Sequence, residues 1–284
     1  MQASKIAVPE FSTLEGEASV LSHRIAMAFA AGLLIDDARY YSERAANTPI
    51  LPFINSRFEW ACTSKIPNYF NFSETELRSG VHLRQDTEFH RGWTIGERIR
   101  TDTEFVSGKN SSLGAITVVK FTTKSLEDNS PITSTWSTAL YRGVSLPCED
   151  FELSPYAPLP PSNSRLEVVE EIAVPIHIAH IYSECADIWN PIHTEQDVAK
   201  AYGLQGIIVH GSILWALAGK GVVDAVAAGN QSRLKRFSGS FSAPVFPGSN
   251  LKLEITADRP VLNWQLSNAE SGIVHVTGEA EFHN

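Results

Sequence analysis

Residues 89–100 read F-H-R-G-W-T-I-G-E-R-I-R, and residues 241–252 read F-S-A-P-V-F-P-G-S-N-L-K. Phe89, Gly96, Ile99 and Arg100 recur at identical spacing as Phe241, Gly248, Leu251 and Lys252, as they would in one design written twice. Tyr41-Ser42-Glu43 likewise recurs as Tyr182-Ser183-Glu184. Each repeated glycine stands between two strand-like runs, where a turn needs a permissive backbone. Alternating strands follow it: Ile99 to Val106, Ala115 to Thr123 and Thr133 to Tyr141 in the first half, then Leu251 to Ala257, Val261 to Leu266 and Gly272 to Phe282 in the second. Upstream lies one helical segment per half, clearest in H-G-S-I-L-W-A-L-A-G-K-G-V-V-D-A-V at 210–226, where Ile213, Leu214, Leu217 and Val222 give an approximate helical face. The expectation is an α+β fold in which a central helix wrapped by a curved antiparallel sheet occurs twice.

Residues 151–165, F-E-L-S-P-Y-A-P-L-P-P-S-N-S-R, carry four prolines and suit an extended, semi-rigid connector. The chain is therefore expected to divide into residues 1–150, a linker at 151–165, and residues 166–284. With 284 residues, 43% of them hydrophobic, there is enough apolar surface for a proper core. The formal charge of -9 is spread over many short segments with no basic stripe, which excludes the electrostatic footprint of a nucleic-acid binder. Cys62, Cys148 and Cys185 cannot all pair and show no C-x-x-C spacing, so no disulfide framework or zinc knuckle is indicated. The longest apolar run, Ile25 to Ile35, is too short to cross a bilayer, the start lacks a basic region followed by an apolar one, and the C-terminus E-F-H-N is not a peroxisomal address. A soluble, cytoplasmic chain that does not bind membranes is expected, as a monomer or homodimer.

The chemistry-bearing stretch is A-D-I-W-N-P-I-H-T at 186–194, followed by I-I-V-H-G at 207–211. With Tyr182, Asn190, Pro191, Ile192, His193, His210 and Gly211 in this order, the sequence resembles the MaoC-like or hydratase 2 group of double hot-dog proteins. The resemblance is close over 170–284 and holds in outline over 20–145. It implies a double hot-dog fold and an R-specific hydration or dehydration of an acyl thioester. In the group, an Asp and a His five residues apart hold the water while a backbone N–H at the head of the helix steadies the thioester oxygen; here that donor corresponds to Gly211. A helix N-terminus has free N–H groups that suit a developing oxyanion.

The pattern breaks at the acid. Five residues before His193 stands Ile188, and Asp187 occupies the place that the group gives to glycine. An isoleucine neither accepts a proton nor orients water, so the acid–base pair for hydration is incomplete. What remains, Asn190, His193 and Gly211, can hold an unsaturated carbonyl compound and withdraw electron density from it without adding water. The leading expectation is a cofactor-free cyclase or isomerase of an apolar unsaturated carbonyl substrate in a specialised pathway, such as a Diels–Alder-type cyclisation, which needs no proton removed. Two alternatives stay open: an R-specific enoyl-CoA hydratase or dehydratase in which Asp187 serves with His193, and a non-catalytic binding protein that keeps the fold.

Tyr182, Ile188, Trp189 and Trp215 are the expected walls of the substrate site, and Phe53, Phe58 and Trp60, at the start of the first half's helical segment, are its candidate tail lining. Core packing is the competing explanation for each aromatic, and turn formation for Asn190 and Pro191. His210 reads as a brace at the helix start. His177 and His180 are three apart with no cysteine or carboxylate pair nearby, so no metal site is indicated. The first half offers Asn47, Pro49 and Ile50 but no counterpart of His193, so one site per chain is expected. Arg84, Arg91, Arg233, Lys235 and Arg236 could meet the phosphates of an acyl-CoA, although solvated surface is the preferred explanation of such scattered cations. No nucleotide-binding glycine motif is present, and no flavin, nicotinamide or metal cofactor is implied.

Overall fold

A computed structural model describes residues 14–43, 48–63, 65–66, 72–161, 164–257 and 260–283 of the chain. Asn47, a candidate of the first half, lies outside the described residues. The strands are β1 (Ala18–Val20), β2 (Gly80–Phe89), β3 (Arg98–Ser111), β4 (Gly114–Ser125), β5 (Pro131–Arg142), β6 (Phe151–Glu152), β7 (Leu166–Ala173), β8 (Leu234–Phe241), β9 (Asn250–Thr256), β10 (Val261–Asn268) and β11 (Val274–Phe282). They form one sheet in the order β1-β3-β4-β5-β2-β8-β11-β10-β9-β7, with β6 against β3, and every pair is antiparallel. The expected strands thus form at the expected places. Gly96 and Gly248 both adopt positive φ, 85° and 90°, at the two equivalent turns.

The two halves share this sheet through β2 and β8, which pair from Arg84 opposite Ser240 to Glu88 opposite Arg236. Charges reinforce the seam: Arg236 Nε lies 2.7 Å from Asp86 Oδ1, and Arg84 donates to Glu279 Oε2 over 2.7 Å. The proline-rich connector is part of it as well. Tyr156 donates its hydroxyl hydrogen to the buried Asp86 carboxylate (2.8 Å), accepts from Arg84 Nε (3.3 Å) and stacks on Trp136, while Arg236 donates to the carbonyl of Ala157. The stretch expected as a spacer therefore straps the seam.

Of the helices α1 (His23–Gly32), α2 (Asn55–Thr63), α3 (Glu74–Arg78), α4 (Ile178–Ala186), α5 (Gln196–Ala201) and α6 (Gly211–Ala227), the last is the buried centre of the second half. Its small residues let neighbours approach: a Cβ on Gly219 would sit 2.0 Å from Phe53 Cζ. Around Phe53 the rings of Trp215, Phe237 and Phe89 pack edge-on, and Phe237 stacks on Trp264 at 4.8 Å, which fixes α6 against the sheet. Among the described residues the first half has no helix of that length. A single 3-10 turn, Pro52–Ile54, leads into the nine-residue α2, whose inner face is polar, with Asn55, Ser56 and Glu59 buried. The Tyr-Ser-Glu repeat does not mark equivalent elements: Tyr182 to Glu184 lie within α4, whereas Tyr41 ends a 3-10 turn, because α4 packs instead on α1. No helix among the described residues is long and apolar enough to cross a membrane.

Candidate active site

The site loop begins where α4 stops. Asp187 caps that helix in the left-handed region, φ 55° and ψ 41°, with its N–H bonded to Ser183 O. Aspartate is one of the few non-glycine residues that tolerate this conformation, so it fills the place of a glycine conformationally. Its side chain turns outward, 79% exposed, and takes a hydrogen bond from Arg57 Nη2 on α2 at 3.1 Å. The next residue points the other way: Ile188 is 4% exposed and part of the core. Of these two neighbours, the Asp187 carboxylate is engaged at the surface and the Ile188 side chain is packed in the core.

Asn190 caps the 3-10 turn Pro191–His193 by accepting from Ile192 N at 3.3 Å, with the following proline pre-set for the turn. That engages only the carboxamide oxygen; the two Nδ2 hydrogens remain as donors. His193 Nδ1 lies 2.8 Å from the carbonyl of Ile208. A carbonyl can only accept, so Nδ1 carries the hydrogen and Nε2 keeps its lone pair. Loss of solvent around the ring pushes its pKa down to about 4, so His193 is neutral at ordinary pH and cannot donate from Nε2. The sequence expectation that His193 donates to a carbonyl is corrected by this tautomer.

His210 stacks on His193 with ring centroids 3.7 Å apart. Its Nε2 is within 3.1 Å of the Ile188 carbonyl and 3.2 Å of Ser183 Oγ, while Nδ1 is buried without a partner. His210 thus ties α4, the site loop and the start of α6 together, the brace the sequence suggested. Immediately after it, the N–H groups of Gly211 and Ser212 begin α6, where no intrahelical carbonyl reaches them. A Cβ on Gly211 would lie 3.1 Å from Phe241 Cε1, so the ring of Phe241 lies close over the helix head.

The expected walls divide. Tyr182, Trp215 and Phe53 are sealed in the core and support the site from behind rather than facing a ligand. Trp189, at 54% exposure, sits on the outer side of the loop. Phe58 and Trp60 are half-buried on α2, with Phe58 stacked on Trp93. Phe58, Arg57, Cys62, Arg100 and Asp187 line a surface cavity of about 240 Å³, which His193, Asn190 and Gly211 do not border. The five cations considered for a CoA are all engaged within the chain: Arg84 with Glu279, Arg91 with Glu97, Arg233 with the His283 carbonyl, Lys235 with Glu281 and Arg236 with Asp86. Arg84 and Arg236 hold the seam and are not solvated surface. His180 Nε2 bonds the Thr194 carbonyl, and no group of three or more metal-ligating side chains is found among the described residues.

Two polar groups were not singled out in the sequence. His82, on β2, has its ring 4.9 Å from that of Phe241. A histidine in an otherwise alternating strand gave no signal for this, since the contact depends on where β8 runs. Glu59 accepts from Asn55 Nδ2 (2.8 Å), Thr135 Oγ1 (2.5 Å) and Gln85 Nε2 (3.4 Å), and burial pushes its pKa up to about 7. The i,i+4 spacing of Asn55 and Glu59 was the available cue.

Residues 176–277 match the MaoC-like domain family. The peroxisomal enoyl-CoA hydratase 2 of Arabidopsis thaliana is 34% identical over 95 residues, which are 34% of this chain and 30% of that protein. The curated relatives first matched are spanned over less than half of their own length. In three dimensions the chain is similar to a MaoC-like dehydratase from Phytophthora capsici, with a TM-score of 0.80 at 18% identity over 96% of this chain and 95% of that one. It is similar also to a Mycobacterium tuberculosis protein described as having a double hotdog fold, with a TM-score of 0.62 at 14% identity over 96% of both chains.

Proposed function

With residues 176–277 matching the MaoC-like domain family, we propose that this chain is a cofactor-free enzyme on that scaffold which closes a ring on an unsaturated carbonyl compound without adding water. In this reading residues 166–284 form the site-bearing hot-dog and residues 1–150 shape the substrate cavity. The observation that carries it is the pair Asp187 and Ile188: the carboxylate is turned out onto Arg57, and the inward place is apolar. Gly211 N–H and the Asn190 amide donate to the carbonyl oxygen and lower the energy of the conjugated system. His193, neutral and with a pKa near 4, is too weak a base to drive a proton transfer at neutral pH. A cycloaddition asks for none. Two carbon–carbon bonds form from π electrons, no group leaves, and every proton stays in place, so a fixed geometry and a polarised carbonyl are the whole requirement.

A second reading is favoured by the free lone pair on His193 Nε2, which can orient a water, and by the match to a protein named enoyl-CoA hydratase. Here His193 serves alone in hydrating or dehydrating an acyl-CoA. One experiment separates them: turnover of a panel of trans-2-enoyl-CoA esters by the wild type beside Ile188→Asp. Hydration by the wild type at ordinary enzymatic rates, roughly 1 to 1,000 per second, overturns the first reading. An inert, folded wild type, with activity appearing in Ile188→Asp, supports it.

A further inference from the structure

Resting on the reading of Gly211 and Asn190 as donors to a substrate carbonyl, we propose that His82 is a further substrate-contacting residue whose Nδ1 accepts a hydrogen bond from a hydroxyl or N–H group of the substrate. The first-half strand β2 carries it to the seam. Pairing of β2 with β8 begins at Arg84 opposite Ser240, so His82 stands just beyond the point where the two halves part. A bulge between His82 and Arg84 in the pairing with β5 interrupts the alternation there, a device that re-aims a side chain. The ring lies tilted by 38° against that of Phe241, which also lies close over the head of α6 at Gly211. His82, Phe241 and Gly211 are all reached by solvent.

The tautomer follows from the neighbours. His82 Nε2 lies 3.1 Å from the Arg84 carbonyl, which can only accept, and 3.2 Å from Ser137 Oγ. Nε2 therefore carries the hydrogen and Nδ1 presents a lone pair. Surrounding protein lowers the ring's pKa below the usual histidine value, so that lone pair is not consumed by a proton at neutral pH. Gly211 N–H and the Asn190 amide thus offer donors and His82 Nδ1 an acceptor, with the Phe241 ring in contact with both His82 and the head of α6. A ligand that satisfies all three is uncharged, carries a flat conjugated carbonyl, and bears a donor group beyond the conjugated part.

The test uses two neutral enones that differ by one hydroxyl, 4-hydroxybenzylideneacetone and benzylideneacetone, titrated calorimetrically into the intact wild-type chain and into His82→Phe, which keeps an aromatic ring against Phe241. The wild type is expected to prefer the hydroxylated enone by roughly 2- to 10-fold, the range of one neutral hydrogen bond. His82→Phe is expected to bind both equally. In the wild type labelled with nitrogen-15 at histidine, the His82 Nδ1 resonance should move with the hydroxylated probe only. An unchanged preference in His82→Phe, or no preference in the wild type, overturns the role of His82 and leaves the carbonyl reading intact. Failure of both probes to bind at millimolar concentration overturns the carbonyl reading and this inference together.

Discussion

The imidazoles of His193 and His210 lie 3.7 Å apart with their planes inclined by only 26°. Two rings this close cannot both hold a proton, and burial depresses the pKa of each. An unfolded histidine titrates near 6.5, so the folded state loses protons relative to the unfolded one. The stability this pair contributes is complete above pH 6.5 and is lost as pH falls from 6.5 toward 4. His210→Phe, which keeps the stack but removes one titrating group, is expected to flatten that acid limb by about 1.4 kcal/mol per pH unit. Urea unfolding followed between pH 7.5 and pH 4 reads it, and an unchanged slope would show that His210 is protonated in the folded chain.

Glu59 acts in the opposite direction. Its folded pKa, about 7, is above the ordinary 4.5, so its contribution is full below pH 4.5 and is lost as pH rises through 7. Glu59→Gln is accordingly expected to gain more stability over the wild type at pH 8 than at pH 5, by about 1.4 kcal/mol for each pH unit crossed within that window. Chemical denaturation at the two pH values is the check. The opposed titrations also predict a flatter pH–stability curve in the wild type than in either variant's complementary limb.

Asp187 is a helix cap and a surface partner of Arg57. Asp187→Asn keeps a residue that tolerates positive φ and is expected to leave turnover within about twofold and stability within about 1 kcal/mol, as for an exposed ion pair. A drop of 100-fold or more in activity, the order expected for loss of a general acid or base, would return the acid to the site.

At the seam, Asp86 is fully buried among Arg236, Arg84 and Tyr156. Tyr156→Phe is expected to cost about 1–3 kcal/mol by removing one donor to a charged group. Arg236→Met is expected to cost about 3–5 kcal/mol, because it leaves the carboxylate short of its main counter-charge. Denaturation midpoints provide the measurement, and equal losses in the two variants would mean that Arg84 alone supplies the counter-charge.

Much of this was legible in the residues. The repeat of Phe89 and Gly96 in Phe241 and Gly248 marked both turns correctly because positive φ is a local demand that glycine answers. The alanine- and glycine-rich run 210–226 gave α6 almost to the residue. The loop's orientation was half legible: the sequence set Asp187 beside Ile188, but which of the two faces inward depended on the backbone at the end of α4. The seam was not legible at all. Arg84, Asp86, Arg236 and Tyr156 are far apart in sequence, and only the pairing of β2 with β8 makes them one network. His82 was hidden for the same reason.

Because one sheet serves both halves, each edge inside the chain is spent on the other half, and among the described residues β7 is left at one end of the order. That strand carries Glu167, Glu170 and Glu171 beside the exposed Val168 and Val169. Valines on an open edge invite the same edge of another molecule, and a row of carboxylates makes two such edges repel. The acidity of the chain therefore has a local use here, guarding against intermolecular strand exchange.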